Sequence, residues 1–252
     1  MIPDPSTMLY LGIGSLVGLI SGMFGVGGGF LLVPLLNSTG MPMHLALGTT
    51  LFAISLGGFT GAYKHLQEGN VHVGAAPVFG LSAIVGAQVG SYLACLASEH
   101  VLKVALGVAC SAMALRMAFD GEIEEKNEIR DNTAIASLTG FGVGAFSGFT
   151  GSGGGVLFVP VMASILNFPT MLAVGTSSVI VPISALAGVA QYWMEGYVNF
   201  WAALAVVVGM LMSSYVGAEL SNKIGGEKVK RAFSVVLAIV GAKMTLNGLL
   251  LT

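Results

Sequence analysis

The sequence predicts an all-α polytopic membrane protein built from two homologous halves of four hydrophobic segments each. Three observations carry this. Of 252 residues, 55% are hydrophobic and only 9% charged, with a mean hydropathy of +0.87, whereas a soluble domain carries about 25% charged residues. Apolar stretches of about 20 residues, enough to cross a bilayer, recur from end to end. The second half of the chain also repeats the first.

The eight segments fall at residues 8–37, 43–66, 71–97, 99–119, 133–166, 169–194, 197–222 and 228–251. The residues before the first segment lack the basic region of a signal peptide and the segment outruns signal-peptide length, so it is expected to be retained. Residues 1–119 form the first repeat and 133–252 the second. Between them, 120–132 holds the only long charge run and is read as a solvated linker.

Segments 1 and 5 open the two repeats and carry the strongest signal. With a shift of 126, Gly14, Gly18, Ser21, Gly22, Gly25, Gly27, Gly28, Gly29, Leu31, Val33 and Pro34 fall on Gly140, Gly144, Ser147, Gly148, Gly151, Gly153, Gly154, Gly155, Leu157, Val159 and Pro160. Glycine costs a helix interior about 1 kcal/mol relative to alanine, so these clusters predict a helix break in each segment. Bare backbone inside a membrane is tolerated only beside a cavity or buried protein. With a shift of 127, Gly48-Thr49-Thr50 of segment 2 matches Gly175-Thr176-Ser177 of segment 6, and Glu68-Gly69-x-Val71 matches Glu195-Gly196-x-Val198.

Orientation depends on whether segments 1 and 5 cross. If they do, Lys and Arg divide five against five. If they dip in and return, each half makes three crossings, and eight of these charges share the linker's side against Lys103 and Lys243 on the other. The positive-inside rule favours the second arrangement: inverted repeats, the linker in the cytoplasm and both termini outside.

The motifs Gly25-x-Gly-Gly-Gly-Phe-Leu-Leu-Val-Pro34 and Gly151-Ser-Gly-Gly-Gly-Val-Leu-Phe-Val-Pro160, each opening four apolar segments, resemble the TauE/SafE family of sulfite-exporter-type permeases over essentially the whole chain. The resemblance implies transport of small sulfur-containing anions such as sulfite, sulfoacetate or related organosulfonates. Val26 stands where Ser152 stands, so the two loops are not chemically equivalent.

The chemistry of the loops suits an anion. A helix restarting after a break presents unpaired N–H groups and about half a positive charge. The expected site comprises Gly25, Gly27, Gly28, Gly29, Gly151, Gly153, Gly154 and Gly155. Hydroxyls of Thr49, Thr50, Thr150, Ser152, Thr176, Ser177 and Ser178 complete its donor set. The other reading is that these small residues serve close helix packing.

The remaining polar residues are expected to be structural. The four histidines, His44, His65, His72 and His100, lie near segment ends. Cys95 and Cys110 read as small core residues. Gln88 is read as either bridging helices or facing the pathway, and Glu219 as pairing with Lys223. No cofactor, metal or catalytic residue is called for. The expected partners are a small anion and the lipid bilayer of a bacterial plasma (inner) membrane, with no nucleic acid and with the oligomeric state open. A non-transporting membrane assembly protein and, more remotely, an intramembrane enzyme using Ser152 are the competing functions.

Overall fold

Each helix forms on an apolar run and stops where glycine, proline or a polar turn interrupts it. The computed structural model describes residues 5–24, 27–119, 132–224 and 226–250, with eleven α-helices among them. Segment 1 is broken into α1 (Pro5–Phe24) and α2 (Gly29–Ser38), and segment 5 into α7 (Thr133–Thr150) and α8 (Gly155–Ile165). Segment 2 is α3 (Met43–Gly57) followed by α4 (Phe59–Gln67), a division the sequence did not announce. The Gly58 N–H still bonds Ile54 O and its own carbonyl accepts from Ala62, so α3 and α4 run on as one slightly interrupted helix. The others are α5 (Ala75–Leu96), α6 (Glu99–Phe119), α9 (Thr170–Met194), α10 (Phe200–Ile224) and α11 (Gly226–Leu250). Gly25, linker residues 120–131 and the side chains of Glu219 and Lys223 lie outside what is described.

Helices of 21–25 residues, such as α5, α6, α9, α10 and α11, rise about 32–38 Å, enough to cross a bilayer's hydrocarbon core of about 30 Å. Large apolar side chains project from the perimeter, among them Leu81, Leu138 and Trp201 at 68%, 77% and 76% exposure. In water such a surface would be a large exposed patch; in lipid it is solvated.

Three close helix pairs hold the bundle, and each joins one sequence repeat to the other: α1 with α10, α7 with α5, and α6 with α11. Small residues let these backbones touch. A Cβ on Gly14 would overlap Val206 backbone and one on Gly18 would sit 2.5 Å from Met210 Cα. Likewise Gly144 packs on Ala83 and Gly148 on Ala87. Both pairs therefore run parallel. In the third pair Gly107 meets Gly241 and Thr245 while Gly248 meets Val104 and His100, so α6 and α11 are antiparallel. This is the close approach small residues provide where the hydrophobic effect cannot drive helices together.

At the centre α3–α4 crosses α9 in the opposite sense. The start of α3 lies at the end of α9, where Gly48 packs on the Tyr197 carbonyl and Thr49 Oγ1 accepts the Asn199 N–H at 3.0 Å. The start of α9 lies beyond the end of α4, where Gly175 packs on the Asn70 carbonyl and Thr176 Oγ1 accepts the His72 N–H at 3.0 Å. Matching turns supply those carbonyls. Gly69 and Gly196, at φ 71° and 73°, close α4 and α9 with left-handed caps in which Asn70 N–H bonds His65 O and Tyr197 N–H bonds Tyr192 O. His72 Nδ1 and Asn199 Oδ1 then accept N–H groups at the starts of α5 and α10, from Ala75 and Ala202.

The remaining polar side chains tie helix ends. His44 Nε2 lies 3.1 and 3.0 Å from the Ala94 and Ala97 carbonyls at the end of α5. Glu99 accepts the Met43 N–H and pairs with Lys103. Gln88 bridges helices, donating to Ala187 O at 2.7 Å.

Candidate functional site

The two glycine breaks meet at mid-depth. Gly27 and Gly28 have φ of 71° and 69°, and Gly151, Gly153 and Gly154 have 65°, 75° and 75°. Side chains rarely adopt that left-handed region, which is why glycine stands there. Gly28 and Gly154 are the N-caps of α2 and α8. A Cβ on Gly29 would overlap the Ser152 carbonyl oxygen, so the loops are in contact. The gap beside them is filled by Ile54 and Val181: a Cβ on Gly153 would lie 3.0 Å from Ile54 Cδ1, and one on either Gly27 or Gly153 would lie 3.5 Å from Val181 Cγ1. Ile54 sits near the middle of α3–α4 and Val181 near the middle of α9.

After each break the chain doubles back on the helix it has left. Gly28 lies against Val17 and Ser21 of α1, and Gly154 against Ser147 of α7. The first turns of α2 and α8 are thus delivered to the contact with their N–H groups uncovered. Leu31 and Leu32 N–H both bond Gly28 O, and Leu157 and Phe158 N–H both bond Gly154 O. Among the described residues, the N–H groups of Gly29, Phe30, Gly155 and Val156 have no protein partner. Such uncovered amides are the ordinary attraction of a helix N-terminus for anions. Pro34 and Pro160 lie inside these short helices and lack the N–H that would cover the carbonyl four residues back. For Pro34 that carbonyl is Phe30 O, which accepts from the Cys110 thiol at 3.8 Å.

The predicted hydroxyls divide by where their protons go. Thr49 and Thr176 join α3 and α9 to the distant turns. Ser177 and Ser178 donate to the Val174 and Gly175 carbonyls of their own helix. Thr150 donates to Phe146 O and lies 2.8 Å from Ser152 Oγ, so the Ser152 proton points to Thr150. Thr50 Oγ1 is fully buried and has no partner. Its turn lies where the loops meet: Leu47, three residues before, touches Gly151, and Ile54, four residues after, touches both Gly153 and Gly29.

The sequence model of the family described as Sulfite exporter TauE/SafE matches residues 10–244. The chain belongs to the TauE/SafE family. It is 27% identical over 250 residues to a protein of Methanocaldococcus jannaschii named "Probable membrane transporter protein", with 93% of each chain covered. It is 29% identical over 242 residues to a similarly named Bacillus subtilis protein, covering 93% of this chain and 98% of that one. A Xylella fastidiosa relative with the same kind of name is 29% identical, with 93% of each chain covered. No solved structure matches the chain. The family description and these names are those of membrane transporters.

In this TauE/SafE protein the structure brings Gly27, Gly28, Gly29, Gly151, Ser152, Gly153, Gly154, Gly155, Thr150 and Thr50 to one central region. It sets Thr49 and Thr176 at opposite ends of the α3–α9 pair. One hydroxyl escaped the sequence reading. Ser147 Oγ is fully buried without a partner, and its Cβ lies 3.1 Å from where Gly154 would carry one. Its signal was its place in the repeat opposite Ser21, one turn before each glycine cluster.

Proposed function

We propose that the protein is a membrane transporter that exports a small sulfur-containing anion, such as sulfite or an organosulfonate, binding it at the two Gly-rich helix breaks near the membrane midplane. The observation that carries this reading is the meeting of two glycine-capped helix N-termini at mid-depth, four N–H groups among them uncovered. A pair of helix starts in a low-dielectric interior favours a small anion without the desolvation cost of a buried lysine or arginine.

The same reading makes the two halves inverted repeats. Because α1 runs parallel to α10, which starts at the end where α3 starts, α1–α2 sets out from and returns to that one end. The α7–α8 pair, parallel to α5, does so from the other. Each half then crosses three times. In that arrangement eight of the ten Lys and Arg lie on the linker side, which supports a cytoplasmic linker, both termini outside and residence in a bacterial plasma membrane. Ser152, Thr50 and Ser147 are 0% exposed, so the described arrangement corresponds to a closed state and transport requires the site to open.

Purified protein in liposomes tests the function. Flux of sulfite, sulfate, thiosulfate and sulfoacetate is compared with that of a carboxylate control. Selective flux of one or more sulfur anions is expected; none above the carboxylate or protein-free background would remove the reading.

A further inference from the structure

The two breaks are related by the repeat but differ in fully buried hydroxyls without a partner. At the second break, Ser147 Oγ is fully buried without a partner beside Gly154, and Thr50 Oγ1, equally buried and unpartnered, shares its turn of α3 with Leu47 and Ile54, which touch Gly151 and Gly153. Leaving a buried hydroxyl unpaired costs about 1–3 kcal/mol, so two together ask for a guest. At the first break the counterparts are Ser21, which is only partly buried, and Ser177. Ser177 has turned its proton onto its own helix at Val174 O. The sequence also places Phe24 and Val26, which have no side-chain donor, opposite Thr150 and Ser152.

We propose that the anion binds on one side of the pseudosymmetric centre, at the α7–α8 break, with Ser147 and Thr50 as its hydroxyl donors beside the N–H groups of Gly155 and Val156. The α1–α2 break closes the site from the other side without a fully buried free hydroxyl among its described residues, Gly29 seated on the Ser152 carbonyl. The ligand class is a small oxyanion held entirely by neutral donors. Thr150 and Ser152 fix the loop, since their protons are spent within it. This inference rests on the anion-transport reading but goes beyond it in assigning unequal roles to the two breaks and a binding role to Ser147.

The test uses the full chain in detergent, with sulfite as probe and thermal unfolding as readout, alongside liposome flux. Ser147→Ala and Thr50→Val are expected to weaken sulfite-dependent stabilisation about tenfold or more, the scale of one hydrogen bond to a charged group. Without sulfite their unfolding temperatures stay level or rise, because an unpaired buried hydroxyl has gone. Thr50→Ser restores binding. Ser21→Ala and Ser177→Ala stay within about twofold of the parent, since neither removes a donor from the anion. Sulfite affinity unchanged in Ser147→Ala and Thr50→Val, or equal losses in Ser21→Ala and Ser177→Ala, would overturn the one-sided site while leaving transport intact. A parent protein that neither transports nor is stabilised by any sulfur anion would instead overturn the function, and this inference with it.

Discussion

Thr49 accepts the backbone N–H of Asn199 at 3.0 Å, fastening the start of α3 to the turn after α9. The bond recurs 127 residues on, where Thr176 accepts the His72 N–H at 3.0 Å at the opposite end of the same helix pair. Substituting valine keeps the shape of threonine and leaves a part-buried N–H without an acceptor. Thr49→Val and Thr176→Val are each expected to lower stability by about 1–2 kcal/mol, and serine at either position to retain most of it. Lying at opposite ends of helices of about 25 residues, the two losses should add in the double variant. Chemical denaturation in detergent measures this; strong coupling between the two would mean that the fastenings share partners.

The loops leave no room for side chains. Gly28→Leu and Gly154→Leu combine a left-handed backbone with overlap, against Val17 Cγ1 at 2.5 Å and Phe158 Cε2 at 3.0 Å from the Cβ position. Both are expected to abolish flux while membrane insertion continues, because the flanking apolar helices are untouched. Gly29→Ala, which pushes directly on the Ser152 carbonyl, should do the same with a single methyl group. Normal transport by all three would separate the loops from the pathway.

Topology is checked with reporters. A tag inside the linker near Lys126 is expected in the cytoplasm and one following Thr252 outside. Finding both on the same face would require an even number of crossings between them, and the inverted arrangement would fail.

Driving force follows from where charge is missing. Among the described side chains, no carboxylate or histidine lies at the depth of the glycine loops; His44, His72, Glu99 and Glu195 sit at helix ends. Proton-coupled carriers use such a group within the membrane. Moving an anion out of a cell that is negative inside is already favoured by about 2.3 kcal/mol per charge per 100 mV. Flux should therefore track an imposed potential and ignore a pH gradient at constant substrate charge. Accumulation driven by pH alone, removed by Glu219→Gln, would show a coupled mechanism instead.

The breaks in segments 1 and 5 were legible because consecutive glycines act locally, through backbone freedom that needs no partner. The interruption at Gly58 was not: one glycine in an apolar helix looks like any other, and what sets this one apart is a distant neighbour, Pro182 of α9, 3.1 Å from where a Cβ would sit. Hydroxyl types were likewise legible and their bonds were not. Thr49 and Thr50 are adjacent and were indistinguishable in the sequence. In the fold one meets a turn 150 residues away and the other has no partner. Ser147 reads as a small packing residue beside Gly148, and only the folding back of α8 over α7 sets it at a helix start.

Each of the three glycine seams joins a helix of one repeat to a helix of the other, and this has a consequence for how the protein is made. Helix α1 meets its chief neighbour only once α10, beginning at Phe200, has left the ribosome. Until then Gly14 and Gly18 have nothing but lipid to lie against. The first four segments are thus not a finished unit awaiting a twin. Assembly of this protein is a late event, completed when the last two helices arrive.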